Sequence, residues 1–154
     1  MKKFFWAAVW VLSLGVLSNF LAPFVPRTFR MDAFPFRLYG FERSGRLYDR
    51  IAIRRWKNLV PDMSRYMKRL MRKTVTMQTP VEQTLLLAQE TCVSELVHDL
   101  LILLSFAVLL FWRGRGAILF LLVYNVFGNL PYILIQRYNR PRLLELAEKQ
   151  RRMR

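Results

Sequence analysis

Apolar residues in this chain gather into three long runs instead of alternating with polar residues at a strand or surface-helix period. The first, FFWAAVWVLSLGVLSNFLA, covers Phe4 to Ala22 behind Lys2 and Lys3 and stops at Pro23 and Pro26. Its length suffices to cross a bilayer, and prolines, which cannot continue the hydrogen-bond ladder, end it. Phe20 stands where a cleavage site wants a small residue, so a retained anchor is expected rather than a removed leader.

The second run lies within ETCVSELVHDLLILLSFAVLLFW, Glu90 to Trp112. Only Leu100 to Trp112 is cleanly apolar, and at ~1.5 Å per residue it covers roughly 20 Å of a ~30 Å hydrocarbon core. A full span therefore begins near Val93 and carries Glu95, His98 and Asp99 to the membrane boundary. Thr79-Pro80-x-Glu82 supplies a start, with Thr79 as cap and Pro80 in the first turn, which predicts one helix over 80–112. Arg113-Gly114-Arg115-Gly116 makes a tight turn. The third run, Ala117 to Ile135, is interrupted by Asn125, Gly128, Asn129 and Pro131. Pro131 predicts a kink, and Pro141 to Arg154 reads as a separate short charged helix.

Between the first two runs, residues 27–79 alternate bulky apolar and cationic side chains without a stretch long enough to span. Pro35, Gly40 and Gly45 mark turns before a short amphipathic helix, with Leu47, Ile51 and Arg54 opposite Tyr48, Arg50 and Arg55. Pro61-Asp62 ends it, and Ser64 to Met71 forms another basic helix. Rings at headgroup depth with Arg and Lys reaching outward are the pattern of an element lying on a membrane. The predicted fold is all-α integral membrane, a single membrane domain over 1–154. It has about three transmembrane helices (4–22, within 80–112, and 117–135), a basic interfacial segment at 27–79 and a basic tail at 136–154.

Charge adds an orientation. Net charge is +15, from 25 Lys and Arg against 10 acids, and it is divided between segments that flank apolar spans. Membrane lipids with anionic headgroups, and not nucleic acid, are the expected partner. Residues 27–79 carry fourteen cations, the tail seven, and the turn and the N-terminus two each. With three spans the two rich segments share a side, which the positive-inside rule makes cytoplasmic. The expectation is a multi-pass plasma-membrane protein with its N-terminus outside and its C-terminus in the cytoplasm. The lone Cys92 excludes an internal disulfide or a cysteine-based metal cluster.

On the second helix Thr91, Glu95, His98, Ile102 and Ser105 recur at spacings of 4, 3, 4 and 3 and share a face. Asn125, Asn129, Tyr132 and Gln136 do so on the third. The short turn makes these spans antiparallel, so His98 is expected opposite Asn129 to Tyr132, and Glu90 to Glu95 opposite Leu134 to Tyr138, beside Arg137 and Arg140. Ionisable groups at such depth are costly, which makes them functional candidates. His98, the single histidine, is a candidate general base with Glu95 as its orienting carboxylate and Asn129 or Asn125 steadying an oxyanion. The same pair equally serves as a hydrogen bond that steadies helix packing. Glu95-x-x-His98 lacks the second such motif a carboxylate-bridged metal centre needs, so no metal is expected. Phosphate loops and Ser-centred nucleophile elbows are absent, and Leu103 replaces the Asp of a His-x4-Asp signature. Three guanidinium groups in Gln136-Arg137-Tyr138-Asn139-Arg140-Pro141-Arg142 suit a phosphate or carboxylate, or only fix the end of a span.

That string with Leu143, preceded by Asn125 and Asn129-Leu130-Pro131, resembles the C-terminal motif of the glycosyl-4,4'-diaponeurosporenoate acyltransferase family. Phe41-Glu42 with Gly45, Trp56-Lys57, and Glu90-Thr91 with Glu95-Leu96-x-His98 extend the resemblance over residues 41 to 143. The family acylates the sugar of a glycosylated C30 carotenoid in staphyloxanthin biosynthesis. The resemblance implies a membrane O-acyltransferase moving a fatty acyl group to a sugar hydroxyl of a glycosylated lipid or carotenoid at the inner leaflet. With His98, Glu95 and Asn129 as the catalytic set, the expected substrate-binding residues are Glu42, Trp56, Lys57, Glu90, Asn125, Arg137, Asn139 and Arg140. No resident cofactor is expected. The acyl donor, acyl-CoA or an acyl carrier protein, is anionic and suits the basic stretch from Arg54 to Lys57. A homo-oligomer is among the expected partners. The alternative is a non-catalytic lipid-binding or scaffolding subunit of a membrane complex.

Overall fold

The computed structural model describes residues 1–43, 46–60 and 75–153, and every regular element among them is helical. Gly45, Pro61-Asp62 and the expected helix from Ser64 to Met71 lie outside the described residues. In chain order the helices are α1 (Lys2–Leu21), α2 (Gly40–Arg43), α3 (Arg46–Arg50), α4 (Ile53–Trp56), α5 (Val81–Ser105), α6 (Val108–Phe111), α7 (Arg115–Val123) and α8 (Leu130–Arg152). Three stretches are long and apolar enough to cross a membrane: Lys2–Phe24, Val81–Phe111 and Arg115–Arg152. This is the all-α, three-span class the hydrophobic runs predict. The chain divides into two compact units, Met1–Pro26 with Val93–Ile133, and Arg27–Cys92 with Leu134–Arg154.

In the first unit Ala7 and Val11 of α1 pack with Val108 and Leu121. The rings of Phe4, Phe5, Trp6 and Phe20 stay exposed, as suits a surface solvated by lipid. The second span is not the single helix expected over 80–112. Ser105 turns its hydroxyl back to the Ile102 carbonyl at 2.7 Å, and the Trp10 indole donates to the Leu104 carbonyl at 3.1 Å. Side-chain donors entering the ladder bend a helix, and the N–H groups of Phe106 and Ala107 tighten onto Leu103 and Leu104 before α6 resumes. At the turn, Gly114 has φ 107° and ψ −177°, a region only glycine enters without strain.

The third span deviates just upstream of Pro131. Tyr124–Asn129 forms a π turn, with the Leu130 N–H bonded to the Asn125 carbonyl five residues back. The widened turn places Pro131 in the first turn of α8, where a missing donor costs nothing, so the ladder is offset rather than broken.

In the second unit Tyr48, Ile53 and Tyr138 form a core joined by Trp56, Leu134 and Ile135. Tyr48 therefore faces inward and not along the charged side expected of it, because two separate short helices, α3 and α4, replace the single amphipathic one. Gly40 opens α2 instead of a turn. Thr79 accepts the Thr76 N–H at 3.0 Å, closing a turn ahead of α5 rather than capping it. Instead of a separate charged helix from Pro141, α8 continues through that proline to Arg152. The missing donor leaves only the Arg137 carbonyl without its helical bond, and the packed core on this stretch outweighs that loss.

Candidate functional site

Polar side chains assemble within each unit. In the first, α5 and the π turn bring together His98, Asn129, Asn125 and Ser105. His98 Nδ1 lies 3.0 Å from Asn129 Oδ1, Asn129 Nδ2 donates to Asn125 Oδ1 at 3.1 Å, and Asn125 Nδ2 donates to Ser105 Oγ at 3.1 Å. The Tyr132 ring stacks on the imidazole, with centroids 4.4 Å apart and planes 12° apart.

The far end of this chain fixes its sense. A backbone carbonyl only accepts, so at 2.7 Å the Ser105 hydroxyl must spend its one proton on Ile102. Ser105 Oγ then accepts from Asn125, whose Oδ1 accepts from Asn129, which turns the Asn129 oxygen toward His98. An amide oxygen cannot donate, so His98 Nδ1 carries the hydrogen and Nε2 keeps its lone pair. Such an imidazole is a base at Nε2 and an anchored donor at Nδ1. Among the described residues nothing bonds Nε2.

Glu95 lies one turn before His98 and is 2% exposed. The neighbour that orients the ring through Nδ1 is Asn129, not the carboxylate expected for that task. Asn129 itself is 1% exposed and engages two partners, which suits holding an imidazole better than meeting an oxyanion.

The second unit builds a clamp from α8. Arg137 makes a bidentate pair with Glu42, at 2.7 Å from Nε to Oε1 and 2.6 Å from Nη2 to Oε2. The same guanidinium donates to the carbonyls of Pro35 at 3.1 Å and Arg37 at 2.9 Å. Arg140 donates to the Phe36 carbonyl at 2.7 Å and to Thr91 Oγ1 at 2.9 Å. Two arginines thus satisfy three successive carbonyls of one loop, and both are buried. Burial alone would raise the Glu42 carboxyl, but hydrogen bonds from Arg137, the Tyr39 N–H and the Tyr48 hydroxyl outweigh it and hold the group below the ordinary carboxylate range.

Glu42 therefore supplies a carboxylate to Arg137 that the spacing of the spans does not announce. Glu90 pairs with Arg27 at 2.8 Å. Trp56 donates its indole N–H to the Ile51 carbonyl at 2.8 Å, and Lys57 sits over the Tyr138 ring. Asn139 is half-buried, and Cys92 is fully buried. No cluster of three metal-ligating side chains occurs among the described residues.

Both assemblies fall within residues 32–149, which match the glycosyl-4,4'-diaponeurosporenoate acyltransferase family. The chain belongs to that family. Its similar relatives include the glycosyl-4,4'-diaponeurosporenoate acyltransferases of Staphylococcus aureus strains MRSA252 and Newman. They are 26% identical over 145 residues and 27% identical over 147, in each case across 93% of this chain and 86% of the relative. No solved structure matches.

Sequence reasoning missed the parts played by Tyr39 and Tyr48 around Glu42 and by Ser105 at the end of the amide chain. The spacing of Ser105 from His98 was the available signal for the last.

Proposed function

We propose that this protein transfers a fatty acyl group to a sugar hydroxyl of a glycosylated lipid at the inner leaflet of the plasma membrane. The favoured acceptor is the glycosylated carotenoid in the name of its S. aureus relatives. Family membership supports the reaction class, and the observation that carries the chemistry is the Asn129-held imidazole of His98.

In this reading His98 Nε2 takes the proton of the attacking hydroxyl as its oxygen bonds to the thioester carbonyl of acyl-CoA or an acyl carrier protein. The tetrahedral intermediate collapses by breaking the carbon–sulfur bond, and the imidazolium returns the proton to the leaving thiolate. Ester and free thiol result, and the base is restored. A positioned base of this kind contributes about 10²–10⁴-fold.

Asn129 acts as a positioning residue, with Asn125 and Ser105 behind it. Glu95, buried on the same helix, tunes the surroundings of the ring. Arg137, Arg140 and Glu42 act by holding the loop at Pro35–Arg37 and not by gripping substrate directly. The distribution of Lys and Arg supports an outside N-terminus and a cytoplasmic C-terminus.

The test is turnover by the purified full chain in detergent, given acyl-CoA and a glucosylated carotenoid. The unaltered protein yields the ester. His98→Ala loses about 10²–10⁴-fold in rate while inserting and accumulating normally. Full turnover in that variant would remove the base.

A further inference from the structure

A basic protein has many solvated arginines, but in the second unit three cations converge on one buried ring. Arg54 Nε donates to the Tyr138 hydroxyl at 3.2 Å, Lys57 Nζ lies 5.0 Å from the ring centroid, and the Arg142 guanidinium carbon lies 3.4 Å from it. Tyr138 is 3% exposed. Arg142 is pinned further by donating to the Tyr138 carbonyl at 2.6 Å.

Among the described residues none of the three is ion-paired. Glu145, the nearest carboxylate along α8, is bonded to Lys149 at 2.7 Å and exerts only a lesser pull on Arg142. Like charges gathered without a counter-charge repel, yet all three are held at Tyr138, Arg54 and Arg142 with solvent-exposed surface open to a ligand and Lys57 half-buried. The fold also accepts strain next to them, since Ala52, immediately before α4, is held at φ 49°.

We propose that Arg54, Lys57 and Arg142 form a phosphate-binding site around Tyr138. The two guanidinium forks suit phosphate oxygens bidentately, and the ammonium adds a point charge. The tyrosine ring fixes where the cations stand. The ligand class is a phosphate ester, either the phosphates of a soluble acyl donor or the phosphate of a lipid headgroup. The acyl-transfer reading bears only on which source applies, since the site itself stands on the geometry of the cations.

The experiment is calorimetric titration of the full chain in neutral detergent at low salt with two probes. One is adenosine 3',5'-bisphosphate, and the other is dioctanoyl phosphatidic acid in mixed micelles. Binding of at least one probe is expected, with Arg142→Gln and the exposed Arg54→Gln each weakening it by about tenfold or more. Tyr138→Phe, which keeps the ring and removes the acceptor of Arg54, gives a smaller loss. Preference for the nucleotide points to a soluble donor, and preference for the lipid to a headgroup. Absence of binding by both probes, or equal binding by the unaltered protein and both arginine variants, overturns the site. Probe binding needs no turnover, so it separates failure of this site from failure of the catalytic reading.

Discussion

Asn129 decides which nitrogen of His98 carries the hydrogen. Free imidazole favours the proton on Nε2, the opposite of what the amide chain ending at Ile102 dictates. Because the chain contains a single histidine, selective ¹⁵N-histidine labelling reads this residue alone. Nitrogen spectra of the neutral form should show Nδ1 protonated and Nε2 bare, and Ser105→Ala or Asn129→Leu should move population to the other tautomer. A protonated Nε2 in the unaltered protein would contradict the assignment. The Glu42–Arg137 pair makes a different prediction. Removing one partner of a buried pair strands the other, so Glu42→Gln should cost roughly 3–5 kcal/mol in denaturation. The carboxyl is held low in the folded state, so its contribution is complete above an unfolded value of about 4.3 and is lost as pH falls through the lower folded one. Melting temperature should therefore drop in acid more for the unaltered protein than for Glu42→Gln. The His98 environment was legible because spacings of three and four on two spans joined by a short turn force the faces together. Glu42 was not, since 95 residues separate it from Arg137 and no period links them; only family resemblance pointed to it.

Apolar length and proline positions revealed the helices better than they revealed the helix ends. Nothing at Ser105 to Ala107 resembles a breaker, and the interruption there depends partly on Trp10, 94 residues away. Replacing Trp10 by Phe should keep the ring and lose the bond to Leu104, costing about 1 kcal/mol in detergent unfolding. Gly114 was readable as a turn residue, and its backbone angles explain why. Gly114→Ala should cost about 1–3 kcal/mol, measured by thermal unfolding, although open space surrounds the position. Pro141 misled for the opposite reason: a proline removes one bond, and buried residues on either side of it, Tyr138 before and Ala147 after, carried α8 onward.

For the whole molecule, three apolar stretches and an uneven distribution of cations predict a topology that labelling can check. Cys92 is fully buried, so the native chain offers a nearly silent background for maleimide reagents. A cysteine placed at Glu148, on the exposed face of α8, should react only after the cytoplasmic side is opened. Labelling from outside intact cells would reverse the orientation.

The π turn at Tyr124–Asn129 makes the residue count of the third span a testable quantity. It holds one residue more than an α-helical path would, and that surplus keeps Asn125 aligned with Ser105 while Asn129 stays aligned with His98. A homologue carrying a single-residue deletion there should also have lost the hydroxyl at the position of Ser105.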